Sequence, residues 1–221
     1  VGPDRTVGAV VRMRSIKLGP GHVKTAARGR LFIGHMHGGS TTGLEWVHSI
    51  LNSVIPTTIT NNIRGTLWSK LSYTCLGMLG SLAKESVKTI CEDEVNRRLF
   101  VVLLGEVTSV GTASGVRFEP LAEYHPSAFH PSRSYEHRLA AFNEAAERNW
   151  ERHDRVTTPQ SLNAGVTTHV DYTLGYVTRE GIKVGVSTPL CHHLVRMVHE
   201  IEDGKRQLQM KNYAELAGVV P

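Results

Sequence analysis

Residues 59–78, ITNNIRGTLWSKLSYTCLGM, decide how the rest of the chain is read. The stretch opens as a strand end, Ile59-Thr60-Asn61-Asn62. Its asparagines can accept hydrogen bonds from the first free N–H groups of a helix, so a helix is expected to start near Asn62. From there Ile63, Leu67, Trp68, Leu71, Cys75, Met78, Leu79 and Leu82 recur at three- and four-residue steps, the spacing of one buried face of an amphipathic helix. Lys70, Thr74, Gly77 and Met78 form a second stripe at i, i+4, i+7 and i+8, so the lysine stands among small or neutral groups. Two readings of Lys70 are open: a solvated lysine laying its stem along apolar surface, or a cation aimed at an anionic ligand.

Upstream, three runs read as strands: TVGAVVRMR at 6–14, GHVKTAA at 21–27 and RLFIG at 30–34, separated by Gly19-Pro20-Gly21 and Arg28-Gly29. They are expected to form a small antiparallel meander. Residues 40–55 carry Leu44, Val47, Ile50, Leu51 and Val54 at helical spacing, with Ser40 or Thr41 as cap and Pro56 as the stop. Downstream, helices are expected at 86–90, 93–114, 135–153, 167–179 and 189–202, and another opens near Pro159. A proline-punctuated loop spans 116–133, and the tail from 205 is weakly patterned. The fold class is therefore α+β, a strand-rich opening followed by helices.

With 221 residues, 40% hydrophobic and 20% charged, the chain suits a soluble globular protein of one large domain or one domain plus part of another. No apolar run approaches the ~20 residues of a spanning helix and no signal segment is visible, so a cytoplasmic protein off the membrane is expected. The formal charge of +5 favours anionic partners. Without a Lys/Arg cluster interleaved with aromatics, those partners should be small anions and not nucleic acid. Cys75, Cys91 and Cys191 make no CxxC pair and read as reduced, buried thiols. His35-x-His37 and Cys191-His192-His193 lack the spacing of a zinc site, so no metal is expected. GxSxG and phosphate-loop motifs are absent, and Gly38-Gly39-Ser40 reads as a turn. Glu106 falls near the apolar face of its helix, either as a buried carboxylate serving a site or as a helix-edge glutamate paired to an arginine.

In order and spacing, PGHVKTAARGRLFIG (20–34), NNIRGTLWSKL (61–71), GEVTSVGTASGV (105–116), TPQSLNAGVTTHVDYTLGYV (158–177) and GVSTPLCHHLV (185–195) resemble the ketopantoate reductase family. The resemblance covers most of the chain. It implies that residues 1–60 are the C-terminal part of a Rossmann-like NADPH-binding domain. Residues 61–221 would be a helical substrate-binding and dimerisation domain resembling the C-terminal domain of 6-phosphogluconate dehydrogenase, in an enzyme that can form a homodimer. The implied activity is NADPH-dependent reduction of ketopantoate, or a related small-molecule 2-keto acid, to the 2-hydroxy acid in pantothenate biosynthesis.

Lys70 matches the family's catalytic lysine, which implies a general acid that polarises the carbonyl and protonates its oxygen. Thr74 and Met78 stand where the family carries asparagines. In Thr168-His169-Val170-Asp171, His169 replaces a glutamate, and Thr157 matches a serine. The substrate-binding set implied by the resemblance is thus Thr74, Thr157 and His169. The family's GxGxxG would precede Val1, so this chain alone is not expected to turn over. The competing class is a catalytically altered relative that binds a small anion or a partner without turnover.

Overall fold

The computed structural model describes residues 2, 5–13, 15–25, 29–147 and 167–220. They fall into two compact units, Val1–Lys70 and Leu71–Pro221.

In the first unit, β1 (Val7–Arg12), β4 (Arg30–His35) and β5 (Thr57–Ile59) form one sheet in the order β1-β4-β5, with β1 antiparallel and β5 parallel to β4. Between β1 and β4, strands β2 (Ser15–Gly19) and β3 (His22–Thr25) pair only with each other. Four strands precede the first helix as expected, but β5 follows that helix, and the strands divide into two sheets and form no single meander. The Pro20-Gly21 turn, with Gly21 at φ +69°, closes a local hairpin, and its left-handed backbone suits glycine. A parallel β4–β5 pair needs a crossover, and helix α1 (Thr42–Asn52) provides it. Thr41 caps α1, its Oγ1 accepting from Leu44 N at 3.2 Å.

Leu31 and Ile33 of β4 are buried with Leu44 of α1, and Val47, Leu51, Ile55 and Ile59 pack around them. The helix leans on β4 and β5: Asn52 Oδ1 accepts from Thr57 N at 2.9 Å, and His48 Nε2 donates to Thr57 O at 3.0 Å. Val7 and Val11 of β1 point to that same side of the sheet and stay exposed.

Helix α2 (Ile63–Leu79) begins where expected, with Asn62 Oδ1 accepting from Gly65 N at 3.1 Å. It is not amphipathic. Beyond Arg64 no residue of α2 is exposed. Serines and threonines make this possible by returning their hydroxyls to the helix backbone: Ser69 Oγ donates to Gly65 O at 2.9 Å and Thr66 Oγ1 to Asn62 O at 3.2 Å.

The second unit is built on α4 (Glu94–Ala113), whose Leu99, Phe100, Val101, Leu103, Leu104, Val107 and Val110 are buried. Asp93 starts it by accepting from Val95 N and Asn96 N. Around α4 pack α5 (Tyr135–Glu147), α6 (Leu174–Val184), α7 (Pro189–Glu202), α8 (Lys211–Ala217) and a 3-10 turn, Pro126–Phe129, while α3 (Val87–Ile90) is a single capped turn. Helix α7 has the bounds expected for 189–202.

The helix expected at 167–179 is instead a 3-10 turn, Val170–Tyr172, followed by α6. Thr173 separates the two with φ −111° and ψ −93°, its hydroxyl shared between His169 O and Val170 O. Helix α8 was not visible in the weakly patterned tail. It is held by Tyr213, whose hydroxyl donates to Leu79 O at 2.8 Å, and by Asn212, whose amide donates to Leu82 O at 2.8 Å. Residues 148–153 of the expected 135–153 helix, and the helix expected near Pro159, lie outside the described residues. Among the described residues no helix is long and apolar enough to cross a membrane.

Candidate functional site

The start of α2 lies against the sheet face opposite α1. A Cβ on Gly8 would stand 2.8 Å from Ile63 Cγ1, and one on Gly34 would stand 2.3 Å from the Thr60 carbonyl oxygen and 3.0 Å from Ile63 Cβ. Two glycines side by side in the β1–β4 pair therefore let the helix approach the sheet backbone closely. Seven residues along α2, Lys70 is half-buried. Burial lowers its pKa below the usual lysine value, and the Arg12 guanidinium lowers it further by repulsion. Half-burial fits both readings of Lys70, a stem laid along apolar surface and a cation aimed at an anion.

Thr74, one turn beyond Lys70, is also half-buried, whereas Met78 is fully buried. Between Lys70 and Thr74, Tyr73 meets Tyr124 edge-on at 5.5 Å, and Ser72 Oγ shares a 2.8 Å hydrogen bond with the buried Tyr124 hydroxyl, whose pKa burial raises strongly. Tyr124 also stacks on Phe129 at 5.9 Å. A rigid aromatic group thus fixes the rotation of α2 just past the lysine.

His169 is exposed and precedes the 3-10 turn, its carbonyl accepting from Tyr172 N at 3.1 Å. It belongs to the second compact unit, and Lys70 is the last residue of the first. Thr157 lies outside the described residues. Of the expected set, Lys70 and Thr74 are neighbours on one helix.

Glu106 fits neither reading offered by the sequence. Its two oxygens accept from Leu190 N and Cys191 N at 2.8 Å each, so it caps the start of α7 from a different helix. Pro189 supplies no N–H at the first position, so the next two donors are the ones needing partners. Burial raises the Glu106 pKa, against the two backbone donors and the Cys191 thiol, which lower it. The Cys191 thiol is itself pushed well up, first by burial and then by the Glu106 charge.

A second charged group joins the 3-10 turn to the end of α7. His199 Nε2 meets Asp171 Oδ1 at 3.1 Å and His199 Nδ1 meets Glu202 Oε2 at 3.0 Å. Cys75, Cys91 and Cys191 are buried free thiols. His35 is bonded to Thr41 and His193 to Glu215. Among the described residues no group of three or more His, Cys, Asp or Glu side chains is arranged to hold a metal ion.

The described residues do not form a dinucleotide cradle. The α1 N-terminus behind Gly38-Gly39 is capped by Thr41 and carries the Glu45 carboxylate in its first turn, which repels phosphate. What the sequence missed was Arg12. The available signal was the alternation of β1, which puts Gly8, Val10 and Arg12 on one face.

Among solved structures the chain matches D-mandelate dehydrogenase in complex with NADH at a TM-score of 0.74, with 16% identity over 93% of this chain and 66% of that one. It matches a PanE/ApbA family ketopantoate reductase from Ralstonia eutropha JMP134 at a TM-score of 0.72, with 24% identity over 90% of this chain and 60% of that one. A dimeric ketopantoate reductase from Staphylococcus aureus gives a TM-score of 0.70 and 15% identity over 90% and 62%. The fold is thus one found in oxidoreductases, and the chain spans about 60–66% of the length of these structures. Residues 62–202, with Lys70 among them, match the model of the ketopantoate reductase PanE/ApbA C-terminal family, and the chain belongs to that family. No curated protein matches the chain.

Proposed function

We propose that this chain carries the substrate side of an NADPH-dependent reductase that converts ketopantoate, or a related 2-keto acid, to its 2-hydroxy acid, in pantothenate biosynthesis in the cytoplasm. The observation that carries the reading is Lys70: a half-buried ammonium with a lowered pKa, within the segment that matches the family. When bound, NADPH supplies the hydride. The Lys70 ammonium donates a hydrogen bond to the keto oxygen, stabilises the negative charge that develops there, and transfers its proton to give the hydroxyl. Lysine is left neutral, and a lowered pKa favours that transfer near neutral pH.

In this reading Thr74 offers a hydroxyl to the substrate from the next turn, and Thr157 and His169 are the further substrate-binding residues that the family resemblance implies. Residues 1–60 belong to the nucleotide-binding domain and 61–221 to the substrate and dimerisation domain of a homodimer. With a histidine in place of a carboxylate at 169, the preferred acid carries more negative charge than ketopantoate does. The test is steady-state kinetics of the full-length protein with NADPH and a panel of 2-keto acids. Lys70→Ala should lower kcat by roughly 10²-fold or more while the protein stays folded. Unchanged turnover sinks the proposal.

A further inference from the structure

Charge in this chain is divided unevenly. Residues 1–70 contain nine Lys and Arg (Arg5, Arg12, Arg14, Lys17, Lys24, Arg28, Arg30, Arg64, Lys70) and two acids (Asp4, Glu45), a balance of +7, whereas the whole chain is +5. Residues 71–221 therefore sum to −2, and the excess of positive charge belongs entirely to the first unit. Among the described residues of that unit the carboxylate is Glu45, whose Oε1 lies 3.4 Å from Ser40 Oγ on the α1 side of the sheet.

The other face of the sheet gathers cations. Strand alternation puts Gly8, Val10 and Arg12 on the α2 side of β1. Gly8 meets Ile63 at the start of α2. Arg12 lies four residues along β1 from that contact and Lys70 seven residues along α2. The Arg12 charge is felt at Lys70. Arg12 is also the direct cross-strand partner of Arg30, and partners in an antiparallel pair project to the same face. Like charges placed opposite one another destabilise a sheet, and a bound anion relieves that repulsion.

We infer that Arg12 holds the carboxylate of the substrate, with Arg30 beside it on the same sheet face and Lys70 presenting its ammonium to the adjacent keto oxygen. A guanidinium grips a carboxylate through two parallel N–H donors, which fixes the plane of the acid group. A 2-keto acid has its carboxylate and carbonyl on neighbouring carbons, so an arginine for one and a lysine for the other divide the work. The identity of the anion rests on the reductase reading above; the two-cation site does not.

The experiment is calorimetric titration of ketopantoate, its uncharged methyl ester and inorganic phosphate into wild type, Arg12→Gln, Arg12→Lys and Lys70→Met, with circular dichroism to establish that each variant is folded. Ketopantoate affinity should fall about tenfold or more in Arg12→Gln and recover in part in Arg12→Lys, since a point charge replaces a fork. Ester binding should be weaker and indifferent to residue 12. If phosphate binds in an Arg12-dependent way while ketopantoate does not bind, ketopantoate is ruled out as the anion and the anion site stands. Equal affinity of wild type and Arg12→Gln for both anions, or no binding of either anion to wild type, overturns the inference.

Discussion

A lysine taken partly out of water loses some of the hydration that favours its charged form, and a neighbouring arginine removes more. For Lys70 both act in one direction, which makes the ammonium a better proton donor and a cost to the fold. The folded-state pKa lies below the unfolded value, so between the two the unfolded chain holds more protons, and stability rises with pH across that window. Lys70→Met removes the buried charge and keeps the apolar stem. Its thermal midpoint at neutral pH should therefore exceed that of wild type, and the gap should narrow as pH rises toward the ordinary lysine value of 10.5. Thermal melts at several pH values check this; a lower midpoint at every pH would mean that the charge is net stabilising. A stabilised but inactive variant is the signature of a residue kept for chemistry.

At the scale of elements, the joint between α4 and α7 depends on one carboxylate. Glu106 satisfies two part-buried N–H groups at the start of α7, and replacing it with alanine removes that partner from both. The expected cost of Glu106→Ala is about 2–3 kcal/mol in denaturant unfolding. Its pKa is raised by burial, so the folded state holds the extra proton between the ordinary glutamate value of 4.5 and the folded pKa. Wild-type stability should therefore fall across that window as pH rises, and Glu106→Gln should lack that component of the slope.

The place of Glu106 near an apolar helix face was legible in the sequence, but its capping role was not, because a carboxylate 83 positions before Pro189 gives no local sign of the helix it caps. Caps within reach of their own helix were legible at Thr41 and Asn62, while Ser86 and Asp93, read only as the starts of helices, also accept from the first turn they precede. The same contrast holds for the candidate site. Lys70 and Thr74 share a stripe readable from helical spacing, whereas Arg12 comes near Lys70 only because the chain returns through β4, α1 and β5 before α2 begins. Strand order and the burial of α2 on every side were likewise hidden, since both depend on what the rest of the chain places around these residues.

Across the whole molecule, the two units differ in how well they cover their apolar groups. Of the twelve large hydrophobics exposed among the described residues, eight (Val7, Val11, Met13, Leu18, Val23, Trp46, Ile50 and Val54) belong to the 70-residue first unit. They are not scattered there. Trp46 and Ile50 stand one turn apart on α1, on the flank away from its Asn52 and His48 bonds to Thr57, Val54 lies just past its end, and Val7 and Val11 face the α1 side of the sheet. A three-stranded sheet with one helix over two of its strands protects its amides less than a long helix whose interior is packed on several sides.

Hydrogen exchange followed by mass spectrometry should therefore find the amides of β1–β5 exchanging well before those of α4, most of all before Leu99–Val110. Trp46→Ser and Val54→Asp, which remove exposed apolar area without touching Leu44 or Leu51, should leave unfolding midpoints within about 0.5 kcal/mol of wild type and raise solubility. If those substitutions instead destabilise the chain strongly, the outer flank of α1 is buried in solution, and the exchange pattern over β1–β5 should then show protection equal to that of α4.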